Sequence, residues 1–161
     1  MSTLYLSLGS NLGDKQKNIE EALRMIDEEI GCVSSVSSFH VTEPEGFHSE
    51  HLFVNCVCEA QTDVDIDTAF AITQKIEKEL GRKNKSKNGH YSDRPIDIDI
   101  ILADDTVIEN HLLTVPHPKF HLRSFVLAPL CEIAPQAVHP LLRKTMEELY
   151  AELLSETESK T

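Results

Sequence analysis

Asp97 and Asp99 are the residues whose types and spacing most directly imply chemistry. They stand in Asp97-Ile98-Asp99-Ile100-Ile101-Leu102, a run that reads as a strand, and positions i and i+2 of a strand project from one face. The two carboxylates then lie about 6–7 Å apart while Ile98, Ile100 and Leu102 enter a core. Like charges held this way repel unless a cation lies between them. Such an oxygen-rich pair suits Mg²⁺, which commonly takes one or two carboxylates together with substrate phosphates. Taken alone, Asp-x-Asp fits an exposed face of solvated acids equally well.

The segment just upstream favours the metal. Arg82, Lys83, Lys85, Lys87 and Arg94 stand together, opposed only by Asp93. A cationic loop feeding a two-aspartate strand is what metal–triphosphate chemistry requires, because Arg and Lys neutralise charge on transferred and leaving phosphoryl groups. Glu77 adds a separate clue. It falls within the apolar stripe of a helix that carries Ile66, Ala69, Phe70, Thr73, Ile76 and Leu80, with Gln74 at the edge of that stripe. A carboxylate there is costly unless paired or hydrogen-bonded, so Glu77 and Gln74 are expected to line a polar pocket. His117 and Arg123 follow a short extended segment and suit contacts to phosphates. The His48/His51 and His117/His121 spacings fit zinc, but no cysteine accompanies them and zinc is not expected.

The elements that must position these groups are legible in outline. Thr3 to Leu8 alternates as a strand. Asp14 caps a helix from Lys15 to Ile30, which Gly31 ends. Cys32 to Val41 and Val54 to Thr62 read as strands. A second helix runs from Asp65 to Leu80 and closes at Gly81; Asp97 to Leu102 is the last strand, and Met146 to Leu154 a terminal helix. This order predicts an α+β, ferredoxin-like βαββαβ core, with an antiparallel sheet, helices on one face and long loops over the site. The two long connections are about Glu43 to Leu52 and Arg82 to Arg94.

Composition bounds the rest. At 161 residues and 18.1 kDa the chain is expected to form a single domain over 1–161. A formal net charge of −12 argues against nucleic acid and anionic membranes as partners. Cys32, Cys56, Cys58 and Cys131 form no CxxC pair and are expected to be buried, reduced thiols. Without a signal segment or a long apolar run, a cytoplasmic monomer is expected.

Asp93-Arg94-Pro95-Ile96-Asp97-Ile98-Asp99-Ile100-Ile101 resembles the signature of the 6-hydroxymethyl-7,8-dihydropterin pyrophosphokinase family of folate biosynthesis. Ser7-Leu8-Gly9-Ser10-Asn11-Leu12-Gly13-Asp14, Phe53-Val54-Asn55, Thr114-Val115-Pro116-His117 and Phe125-Val126-Leu127-Ala128-Pro129-Leu130 resemble its other motifs, in family order. The resemblance implies transfer of pyrophosphate from ATP to the pterin hydroxymethyl group, with release of AMP. It implies two Mg²⁺ ions on Asp97 and Asp99, and Arg82 and Arg94 as catalytic loop cations. ATP would be surrounded by Gln74, Glu77, Arg94, Ile100, Thr114, His117 and Arg123. The pterin would stack between Phe53 and Phe125 near Asp97, with Asn55 and Thr42 on its edge and backbone at Glu43 and Glu45 completing the contact. The chain departs from the pattern at Tyr91-Ser92-Asp93, Pro95, Phe53 and Pro118. Two other readings fit the residues: a Mg-ATP and pterin-binding module without catalysis, or another DxD metal-dependent nucleotide transferase.

Overall fold

The computed structural model describes residues 1–43, 52–81 and 95–159, with side chains to 157. Its framework is β1 (Ser2–Ser10), α1 (Lys15–Glu29), β2 (Cys32–Val36), β3 (His40–Thr42), β4 (Phe53–Thr62), α2 (Ile66–Glu79) and β5 (Asp97–Ala103). A short hairpin, β6 (Ile108–Glu109) and β7 (Thr114–Val115), follows, then α3 (Ser124–Ile133) and α4 (Met146–Ser159). The main sheet has the order β2-β4-β1-β5, with β3 also paired to β4. All of its pairings are antiparallel. This is the expected ferredoxin-like core.

Local chemistry explains the main helices. The Asp14 carboxylate accepts the Lys17 N–H at 3.2 Å and the Asp65 carboxylate accepts the Thr68 N–H at 2.8 Å, so each helix satisfies a first-turn amide. α1 buries Ile19, Ala22, Met25 and Ile26, and α2 buries Ala69, Thr73, Ile76 and Glu77. Gly31 follows the end of α1 for a steric reason. A Cβ there would come within 2.2 Å of the Gln61 carbonyl oxygen on β4, so no side chain fits.

Alternation along the strands sorts the core into two layers. Leu6, Leu8, Cys56, Cys58, Ile98 and Ile100 pack with the α1 and α2 residues. Val57 and Ile101 pack with Val126, Leu127 and Leu130 of α3 and Met146 and Leu149 of α4. Adjacent strand residues face opposite ways, so α3 and α4 cover part of the second face, beyond the core helices on the first. The segment Cys32 to Val41, expected as one strand, is two. The break is at Ser37, whose hydroxyl accepts the Val57 N–H at 2.9 Å where a regular ladder would use backbone.

The thiols divide. Cys56 and Cys58 are buried and free, whereas Cys32 is exposed and Cys131 half-buried. Burial pushes the Cys56 thiol up to about 12 and Cys58 higher still, so both stay protonated at neutral pH. The expectation of buried thiols therefore fails at Cys32, an exposed position on the edge strand β2.

Candidate functional site

The site forms on the face of the sheet that α3 and α4 partly cover. Pairing register builds it. Gly9 on β1 stands opposite Asn55 on β4 and Asp97 on β5. His40 on β3 stands opposite Asn55 on its other side. Residues directly opposite share a face, so Asp97, Gly9, Asn55 and His40 form one row across four strands. Asp99, Ser7 and Val57 form the next. Asp97 and Asn55 are two strand spacings apart, about 10 Å. The residue between them has no side chain.

That absence is required. A Cβ on Gly9 would lie 2.9 Å from Asn55 Oδ1 and 3.4 Å from Phe53 Cδ1. Asn55 is 4% exposed, and its Nδ2 donates to Thr42 Oγ1 at 2.7 Å. The Asn55 amide is thus fixed over a trough floored by Gly9, with Phe53 on the same face and Asp97 at the far wall.

The second wall comes from the segments after β5. The His117 N–H donates to the Ile101 carbonyl at 3.1 Å, which ties the imidazole to the aspartate strand. A cis peptide bond joins Val115 to Pro116 just before it. His117 Nδ1 accepts the Lys119 N–H at 3.2 Å, so neutral His117 carries its proton on Nε2 and presents a donor. Burial first, then the nearby Arg123 cation, lowers its pKa to about 4, partly offset by Asp97. His117, Arg123 and Asp97 therefore act in one local field. Arg123 caps α3, and its guanidinium carbon lies 5.7 Å from the Phe125 ring centroid, a cation–π distance. One face of Phe125 is thereby engaged by Arg123.

Glu77 supports β5 from behind. It is 4% exposed, and its Oε2 accepts the Ile98 N–H at 2.8 Å. Ile98 lies between the two aspartates, and β5 ends the strand order. Glu77 thus serves the outer edge of the strand that holds the carboxylates. Gln74, expected beside it in a pocket, is exposed. Ile100 is 4% exposed in the helix-facing layer, so its side chain is directed away from the aspartate face. Thr114 is half-buried on β7, and Glu43 is exposed just after β3. Glu45, Arg82 and Arg94 lie outside the described residues.

The donor set fits magnesium. Asp97 and Asp99 supply hard oxygen ligands from alternate positions of one strand. Among the described residues no group of three or more His, Cys, Asp or Glu could hold a metal. A two-carboxylate site that leaves its remaining positions to phosphate and water is the Mg²⁺ pattern, unlike closed zinc cages.

Residues 5–135 match the 7,8-dihydro-6-hydroxymethylpterin-pyrophosphokinase family. The chain belongs to this pyrophosphokinase family. A relative from Porphyromonas gingivalis named 2-amino-4-hydroxy-6-hydroxymethyldihydropteridine pyrophosphokinase is 44% identical over 141 residues, covering 87% of this chain and 95% of that one. One of the same name from Aquifex aeolicus is 39% identical over 152 residues, covering 94% and 92%. The crystal structure of Plasmodium falciparum HPPK-DHPS wild type with pteroate superposes with a TM-score of 0.79 at 17% identity. It covers 98% of this chain, which spans 43% of that one; the likeness is one of fold. As a member of the pyrophosphokinase family, the chain is a diphosphotransferase of folate biosynthesis. Two features are not legible in the sequence: the role of Gly9, which only the strand register reveals, and the carboxylate of Glu132 on α3, which reaches His40 at the end of the Asn55 row.

Proposed function

We propose that the sheet face bearing Asp97, Gly9 and Asn55 brings the hydroxymethyl oxygen of the pterin into line with the β-phosphorus of ATP. The oxygen forms a bond to that phosphorus, the bond from the β-phosphorus to the α,β-bridging oxygen breaks, and AMP leaves. The hydroxyl proton passes to solvent. The row Asp97–Gly9–Asn55 carries this reading, because it sets an amide that both donates and accepts about 10 Å from a carboxylate, with no side chain on the strand between them.

Each residue has a task. Asn55, held by Thr42, reads the pterin edge, and Phe53 and Phe125 hold its faces, with backbone at Glu43 and Glu45 at its rim. Offset aromatic stacking suits a flat heterocycle. His117 donates from Nε2 and Arg123 adds positive charge where the nucleotide lies, with Thr114 and Gln74 around it. Glu77 fixes the strand, and Ile100 offers its backbone alone. Arg82 and Arg94 are assigned to the phosphates. Asp97 and Asp99 would hold two Mg²⁺ ions, which neutralise phosphate oxygens and acidify the hydroxyl when bound. The chain is proposed to work as one domain, a monomer in the cytoplasm. No described helix is long and apolar enough to cross a membrane, and the acidic charge disfavours nucleic acid and anionic lipid.

The test is Asp97→Asn. It should lower kcat by about 100-fold or more at saturating Mg²⁺ and ATP, on the several kcal/mol that metal charge stabilisation supplies. Turnover within about threefold of the parent would overturn the assignment.

A further inference from the structure

Among the described residues β3 spans three positions and pairs with β4 alone, yet it carries Thr42, the hydroxyl that holds Asn55. Such a short strand needs another anchor. Glu132, in the last turn of α3, supplies it. Its Oε1 accepts the Ser38 N–H at 2.8 Å. The Ser38 hydroxyl lies 2.8 Å from each of its carboxylate oxygens. Its Oε2 lies 2.5 Å from His40 Nε2, and Ser38 Oγ is 3.3 Å from the same ring nitrogen. The Ser38 amide above all, opposed by burial and helped by His40 and the Ser38 hydroxyl, holds the Glu132 carboxyl below its usual range.

The position of this cluster matters more than its strength. Glu132 stands seven residues after Phe125 on one helix, and that spacing returns to the same helix face. His40 stands directly opposite Asn55, and Thr42 directly opposite Phe53. One carboxylate therefore joins the helix that carries one proposed stacking ring to the strand that braces the amide and lies beside the other ring. Salt-bridge energy does not explain the arrangement, since Glu132 and His40 are 36% and 29% exposed and such pairs contribute little. Three donors converging on both oxygens of one carboxylate fix distance and orientation instead.

The geometry points to Glu132, with Ser38 and His40, as a positioning unit that sets the gap between Phe125 and the Thr42–Asn55 pair, and hence pterin affinity. The inference rests on the pterin placement proposed above. Glu132 touches neither substrate; it acts through β3.

The experiment compares Glu132→Ala, Glu132→Gln, Ser38→Ala and Asn55→Ala by steady-state AMP formation, varying each substrate in turn. Glu132→Ala should raise the pterin KM about 5- to 30-fold, with the ATP KM and kcat within about twofold. Glu132→Gln keeps an acceptor for Ser38 and should recover most of that loss. Glu132→Ala combined with Thr42→Ala should cost less than the product of the single effects, because both act on Asn55. An equal rise in both KM values, or strict multiplicativity in the double variant, would show plain structural support and overturn the inference. An unchanged pterin KM in Ser38→Ala and Glu132→Ala while Asn55→Ala raises it would reject the positioning unit alone. An unchanged pterin KM in Asn55→Ala would reject the pterin placement and the unit with it.

Discussion

Replacing Gly9 by alanine tests whether the trough between Asp97 and Asn55 is the pterin floor. The added methyl carbon would stand 2.9 Å from Asn55 Oδ1 and 3.4 Å from Phe53 Cδ1, against ordinary contacts of about 3.5–4.0 Å. Asn55 cannot yield freely, because its amide nitrogen is bonded to Thr42 at 2.7 Å. Either that bond breaks or the strands separate, and overpacking of this kind costs about 1–3 kcal/mol of stability. If the displaced amide then loses two pterin hydrogen bonds at about 0.5–1.5 kcal/mol each, binding weakens by about 1–3 kcal/mol. Tenfold per 1.4 kcal/mol converts this to a rise of about 5- to 150-fold in pterin KM. AMP formation measured against pterin at saturating ATP, then against ATP at saturating pterin, separates the two sides. The ATP KM should stay within about twofold, because the atoms nearest the added methyl belong to Asn55 and Phe53, on the pterin side. A thermal melt confirms that the variant is folded at the assay temperature. A folded Gly9→Ala protein with an unchanged pterin KM would refute the reasoning.

Other outcomes follow from single contacts. Glu77→Ala removes the acceptor of the buried Ile98 N–H. Stability should fall by about 1–3 kcal/mol or more, lowering Tm by several degrees, while Glu77→Gln should lose less; equal melting of all three proteins would contradict the role. Asp97→Asn without metal should match or exceed the parent in denaturant stability, since it relieves like-charge repulsion; a clear loss would contradict the paired-carboxylate reading. His117 titrates near 4 when folded against 6.5 when free. Between those values the unfolded chain binds a proton that the folded chain excludes, so stability falls as pH drops through that window. Allowing for partial exposure, the effect is on the order of 2 kcal/mol. Urea unfolding at pH 7 and 4.5 should show a smaller difference for His117→Asn than for the parent, and equal differences would contradict the assignment.

How far the sequence reveals all this depends on what each signal measures. Asp97 and Asp99 are legible because strand alternation alone puts them together. α1 and α2 are legible because one face is polar and Asp14 and Asp65 cap them. α3 is not. Its residues, Ser-Phe-Val-Leu-Ala-Pro-Leu-Cys-Glu-Ile, are apolar on nearly every side and include Pro129, so neither an amphipathic period nor an unbroken helical pattern marks it. Glu132 is hidden with it. The break between β2 and β3 is likewise invisible, since Ser37 is ordinary in an alternating run until its hydroxyl is seen bonding Val57. Register is a long-range property. Nothing local says that Gly9 lies between Asn55 and Asp97, although the face it shares with Tyr5 and Ser7 follows from period two.

In the proposed reaction the pterin hydroxyl attacks the β-phosphorus of ATP, not the γ-phosphorus. ³¹P NMR of the protein with ATP, Mg²⁺ and 6-hydroxymethyl-7,8-dihydropterin tests it most directly. AMP and a pair of coupled resonances from a pterin diphosphate are expected, in equal amounts. ADP with a pterin monophosphate would contradict it.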